Sequence, residues 1–117
     1  MTTKAEIKSM LAERGLTDAE CLNQVYKLIC AIERVFGCTF EDLKSEKRGK
    51  ILSYARRVWF WFAKDILSQI SSEKRAKLIN KHQTLEAYNI KMFENDNSVF
   101  NKEFQEYVRQ INDCLNT

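Results

Sequence analysis

Proline is absent from all 117 residues, and glycine occurs only at Gly15, Gly37 and Gly49. Ordinary usage of about 5% would put roughly six prolines in a chain of this length. Proline and glycine are the usual residues of tight turns and chain breaks, so sandwiches and barrels, which need many of them, are disfavoured. What remains open to such a chain is a set of helices. The length suits one domain. A hydrophobic fraction of 44% supplies a core, while 30% charged residues keep the surface polar, which argues against intrinsic disorder.

Cap patterns mark the helices. Thr3-x-x-Glu6 opens a run that ends at Gly15, and Thr17-x-x-Glu20 opens a second that ends at Gly37. In the second, Leu22, Val25, Ile29, Ile32 and Phe36 recur every three or four residues and form one apolar stripe. Thr39 precedes a short helical turn, Phe40-Glu41-Asp42-Leu43, with its acids at the positive end, and Ser45 is placed to cap the next element. From about residue 46 to residue 70 the residues Ile51, Tyr54, Ala55, Val58, Phe62, Ile66 and Ile70 keep helical spacing. Trp59 and Trp61 widen that stripe, so this long helix is expected at the centre of the fold.

Ser71 and Ser72 cap a short helix over 73–79 with Ala76 and Ile79 inward. Asn80-Lys81 reads as a tight turn, because asparagine tolerates the left-handed conformation. A helix over 82–94 follows, with Leu85, Tyr88 and Met92 expected inward. After the turn and cap cluster at 95–98 comes a last helix with Phe100, Phe104, Tyr107, Ile111 and Leu115 inward. The expected fold class is all-α: a single domain of about six helices with a helix-turn-helix and a long central helix. Residues 1–20 are read as an N-terminal helix extension and 21–117 as the domain proper.

No apolar run approaches the roughly 20 residues of a membrane span. The N-terminus has no apolar signal core and carries an acid at Glu6, which points to the cytoplasm. The amphipathic first helix, with Lys4, Lys8 and Arg14 beside Ile7, Met10 and Leu11, is read as a surface helix. Cys21, Cys30, Cys38 and Cys114 form no CxxC pair, and His82 is the single histidine, so no metal site is expected and the thiols are read as packing residues. No nucleophile, metal cluster or cofactor motif offers itself for chemistry. An enzyme is therefore not expected, and neither is a cofactor.

The charge distribution says more than the net +3. Lys44 to Lys81 holds eleven Lys and Arg against three acids, a net +8, while the remainder holds eight basic and thirteen acidic residues, a net −5. A positive middle between negative ends makes one face attractive to polyanions, with nucleic acid first among them. The short helix, turn and helix between Ser72 and Glu94 have the proportions of a helix-turn-helix. His82, Gln83 and Thr84, polar groups at the start of its second helix, stand where such units meet base edges: Gln pairs with adenine, and a Thr methyl meets that of thymine. The competing reading is that His82 or Thr84 merely caps the helix.

These residues bring a family into view. Phe36-Gly37-Cys38-Thr39-Phe40-Glu41-Asp42-Leu43-Lys44-Ser45-Glu46-Lys47-Arg48, then Ala55-Arg56-Arg57-Val58, then Ala63-Lys64-Asp65-Ile66, and finally Ile79-Asn80-Lys81-His82-Gln83-Thr84-Leu85 together resemble the C-terminal DNA-binding domain of the bacterial chromosomal replication initiator DnaA. The resemblance covers about residues 21–116. It implies an all-helical domain with a Trp-repressor-like helix-turn-helix on double-stranded DNA. Arg56 would enter the minor groove, and His82 and Thr84 the major groove, with Gln83 between them. In the family's motifs Lys81 stands where an Asp is usual and Arg57 where a Gln is usual, and Glu73 to Lys77 lacks the family's pattern. The initiator's own target box is therefore not carried over. No G-x-x-x-x-G-K-[ST] loop occurs in these residues, so the initiator's ATPase is not expected.

Two readings of function follow. In the first, the chain binds double-stranded DNA, in replication or its regulation, with Lys47, Arg48, Lys50, Lys74 and Lys81 on phosphates, Arg56 probing the minor groove with Arg57 also counted among the DNA-binding residues, and His82, Gln83 and Thr84 facing the major groove. Five phosphate contacts would give a log-log salt slope of about −4 to −5. In the second, the chain is a helical interaction module that kept the fold, lost DNA binding and docks on a replication protein, with Phe60 or Trp61 as an exposed apolar patch.

Overall fold

A computed structural model of the chain describes residues 2–97 and 101–116. Among them are seven helices and no strand: α1 Lys4–Ala12, α2 Ala19–Phe36, α3 Phe40–Lys44, α4 Lys50–Ile66, α5 Ser72–Lys77, α6 Thr84–Asp96 and α7 Lys102–Leu115. The Cα radius of gyration, 13.4 Å, is that of one compact domain of this length.

Several ends lie where the cap residues place them. Thr3 accepts from the Glu6 N–H at the start of α1. Gly37 closes α2 at φ +66, a backbone conformation that a Cβ disfavours. Thr39 and Asp42 form a reciprocal capping box on α3. Ser71 caps α5, and Asn80 takes φ +56 in the turn after it.

Other ends differ from expectation. Asp18, one residue after Thr17, caps α2 by accepting from the Glu20 N–H. Ser45 ends α3 instead of opening α4, which starts at Lys50 after Gly49 without a side-chain cap. His82 and Gln83 precede α6 instead of forming its first turn. The inward position expected for Phe100 lies outside the described residues.

The long α4 runs through the middle, with α2 on one side and α6 on the other, and α7 packs beside α2. Tyr54, Ala55, Val58, Trp59, Phe60 and Ala63 bury its inner surfaces. Phe60 is fully buried, so it is core and no exposed patch; Trp61 is half-buried and stacks on Phe93 with ring centroids 4.3 Å apart. Ile7 and Leu11 of α1 lie in the same core cluster as these residues, so the apolar stripe of the first helix faces protein. The four cysteines are free thiols, Cys21 buried and the others half-buried. Among the described residues no helix is long and apolar enough to cross a membrane.

The largest departure concerns α6. Leu85 is 37% and Tyr88 55% exposed, while Glu86, Asn89 and Phe93 face inward. Both triplets follow the same i, i+3, i+7 pattern, rotated by one residue, or about 100°. The second triplet faces inward because Phe93 packs against Trp61, Phe62 and Phe104 and because Glu86 has a partner. Arg75 of α5 donates to both of its carboxylate oxygens, at 2.8 and 2.7 Å. Its remaining guanidinium nitrogen donates to the Leu67 and Ile70 carbonyls in the segment that follows α4. Asn89 in turn donates to the Leu85 carbonyl. Burying a charged pair is tolerated only when its hydrogen bonds are satisfied this fully.

Candidate nucleic-acid interface

The site is organised around the Ser45 carbonyl at the end of α3. Arg56, on the second turn of α4, reaches back along the chain and donates to the backbone carbonyls of Asp42, Leu43, Ser45 and Lys47, at 2.9 to 3.1 Å. Those bonds occupy four of the five N–H donors of a guanidinium. They satisfy the free carbonyls that a short helix leaves at its C-terminus, and they hold the loop 45–48 against α4. Lys81, in the turn between α5 and α6, donates to the same Ser45 carbonyl at 2.6 Å. Its side chain is 10% exposed. Burial first, and the nearby Arg56 second, hold its ammonium below the usual lysine range.

The basic loop and the turn before α6 are thereby fastened together, although 36 residues separate them in sequence. Around this junction lies a cleft of about 260 Å3 whose lining includes Lys47, Arg48, Arg56, Arg57, Lys81 and Tyr88. Lys47 and Arg48 are exposed. Lys47 pairs with Asp42 at 3.2 Å in a solvent-facing bridge of the kind that contributes little and exchanges readily. Arg57 is tied down: it pairs with Asp96 of α6 and lies over the Tyr54 ring. A second, adjoining depression is lined by Lys77, Lys81, His82 and Gln83.

His82, Gln83 and Thr84 are all exposed on this side. The His82 imidazole Nδ1 accepts from the Thr84 N–H at 3.2 Å and lies 3.0 Å from the Thr84 hydroxyl, so His82 does cap α6 from outside the helix. That role leaves the other edge of the ring, and the side chain of Gln83, toward solvent. Lys74 is exposed on α5. Lys50 points elsewhere, with its ammonium on Glu103 of α7 at 3.0 Å.

The structure thus gathers Lys47, Arg48, Arg56, Arg57 and Lys81 around one cleft and Lys81, His82 and Gln83 around the depression beside it, with Thr84 held to His82, but it turns Arg56, Arg57 and Lys81 into the protein. It also adds residues that the sequence reading placed inside. Leu85 and Tyr88 stand on the outer face of α6, and Arg75 with Glu86 fixes the angle between α5 and α6. A signal for the latter existed in the acid at position 86 of an otherwise amphipathic helix, eleven residues after an arginine.

No family model and no solved structure matches the chain. It is 33% identical over 85 residues, 73% of its own length, to the chromosomal replication initiator protein DnaA of Thermosipho africanus (strain TCF52B). Those residues correspond to 19% of that protein, so the chain spans about a fifth of the relative's length. Over most of its length, then, this all-helical chain is similar to a stretch of a bacterial replication initiator.

Proposed function

We propose that this protein binds double-stranded DNA, with α5, its turn and α6 acting as a helix-turn-helix and with no ATPase activity, in replication or its regulation. The observation that carries the reading is the shared Ser45 carbonyl. It sets the exposed cations of the 45–48 loop beside the exposed polar start of α6, an arrangement that serves phosphates and base edges at once. The similarity to the initiator supports the same reading. His82, Gln83 and Thr84 would face the major groove, with Gln83 best suited to an adenine edge. Arg56 is assigned to holding the loop in position.

Of the five cations expected on phosphates, Lys47, Arg48 and Lys74 keep solvent-exposed heads, Lys47 in its surface pair with Asp42, whereas Lys81 is inserted and Lys50 faces α7. Binding measured by fluorescence anisotropy on random-sequence duplexes across a salt series should therefore give a log-log slope of about −3. A slope near zero, or no binding at low salt, would remove the proposal. Arg48→Ala should weaken binding on every duplex and reduce the slope by about one.

Arg56→Ala tests the positioning role. It should lower stability by about 2 kcal/mol, from the lost carbonyl hydrogen bonds, and weaken binding evenly across sequences. A loss confined to A·T-rich duplexes, with stability unchanged, would return Arg56 to the minor groove.

The alternative, an interaction module docked on a replication protein, loses Phe60 from its proposed patch, because Phe60 is buried, and keeps only the half-buried Trp61, one face of which stacks on Phe93.

A further inference from the structure

Leu85 and Tyr88 are the only large apolar side chains exposed among the described residues. One helical turn apart, they form a single short ridge along α6. The ridge is surrounded by polar and cationic groups: it borders the cleft that holds Lys47 and Arg48, and it begins next to Gln83 and Thr84. An apolar ridge facing water on the outer side of α6, bordered by the exposed Lys47 and Arg48, is complementary to a ligand that is both anionic and locally apolar.

The size of the ridge discriminates between occupants. A stable protein interface buries about 800 Å2 on each partner around an apolar core, which two side chains cannot furnish. A duplex requires less. Its phosphates meet the cations, and the only apolar groups it shows in the major groove are the C5 methyls of thymine. Resting on the DNA-binding reading above, we propose that Leu85 and Tyr88 form a methyl-reading ridge, which selects duplexes carrying a C5 methyl on the pyrimidine beneath α6. The tyrosine ring acts through its apolar face, since its hydroxyl has no counterpart in a methyl group.

Polymeric duplexes that differ only in that methyl make the test. Poly(dA-dT) is compared with poly(dA-dU), and poly(dG-dC) with its 5-methylcytosine form, by anisotropy competition at fixed salt. The methylated member of each pair should bind about tenfold more tightly, since each covered methyl gives about threefold to fourfold. Leu85→Ala with Tyr88→Ala should remove the preference between the members of each pair, while Tyr88→Phe should keep it. Both positions are solvent-facing, and a circular dichroism melt of each variant checks that the fold is retained. Equal binding of methylated and unmethylated polymers by the wild-type chain overturns the ridge and leaves DNA binding standing. A preference that survives the double substitution also overturns it. No binding to any of the four polymers overturns both this inference and the DNA reading beneath it.

Discussion

At the scale of the residue, two charged side chains act mainly on the protein itself. Arg75, on α5, links that helix to α6 and to the segment after α4, because it closes a bidentate pair with Glu86 and also donates to the Leu67 and Ile70 carbonyls. The side chains of the pair are 11% and 8% exposed. Removing one member leaves a buried charge without its partner, so Glu86→Ala should cost about 3 to 5 kcal/mol in urea unfolding. Replacing both with apolar residues of matched volume should cost much less, because no orphan remains. Arg56 behaves in the same way toward the backbone of the 42–47 segment. Its tie to four carbonyls explains how a loop with exposed lysine and arginine heads keeps one shape despite their mutual repulsion. Cys38 shows the opposite face of burial: desolvation, then Asp42, push its thiol up to about 11. At neutral pH that favours the thiol over the thiolate.

At the scale of the element, α3 is the shortest helix and the most dependent on its ends. Its five residues are bracketed by the Thr39–Asp42 capping box and by the Arg56 and Lys81 bonds at the other end. The Thr39 N–H, and after it Lys47, hold the Asp42 carboxyl below the usual carboxylate range. A carboxyl lowered by folding contributes stability that is complete above its unfolded value of about 4 and is lost as pH falls through the depressed folded value. Thermal melts between pH 5 and pH 2 should therefore show an acid-side loss that is smaller in Asp42→Asn than in the wild type. Equal pH profiles for the two chains would show that the capping box contributes nothing. The long helix has a different economy. With no side-chain cap at Gly49, α4 is held by packing along its buried residues and by the stack of Trp61 on Phe93, over which the Lys64 ammonium sits.

At the scale of the whole molecule, one core joins all seven helices. The first twenty residues read in sequence as an extension because the resemblance begins after them, yet Ile7 and Leu11 are as buried as the residues of α4. Ile7→Ala and Leu11→Ala should each cost about 3 kcal/mol in urea unfolding, the price of a core truncation. A cost below 1 kcal/mol for both would make α1 a loosely attached appendage. The core also carries the site, since α4 supplies Arg56 to one side of the junction and supports α6 on the other.

What could be read from the chain alone was whatever depends on neighbours within about four positions. Thr3, Gly37, Thr39, Ser71 and Asn80 each announce a helix end through a hydrogen bond or a dihedral that reaches no farther than the next turn, and the absence of proline left helices as the available architecture. The misplacements at Thr17, Ser45 and His82 are shifts of a few residues, where several cap formers stand close together. Which side of α6 faces inward was not of this kind. Leu85-x-x-Tyr88 and Glu86-x-x-Asn89 satisfy the same spacing, and the choice between them rests on partners from other helices, Arg75 for Glu86 and the rings of Trp61 and Phe104 for Phe93. Lys81 and Arg56 likewise read as free cations until the fold brings them to a carbonyl across 36 and 11 residues of chain. A charge pattern counts how many positive groups exist; whether each head meets water or a backbone oxygen is settled by packing, because the cost of desolvating it is repaid only by partners that lie far away in sequence.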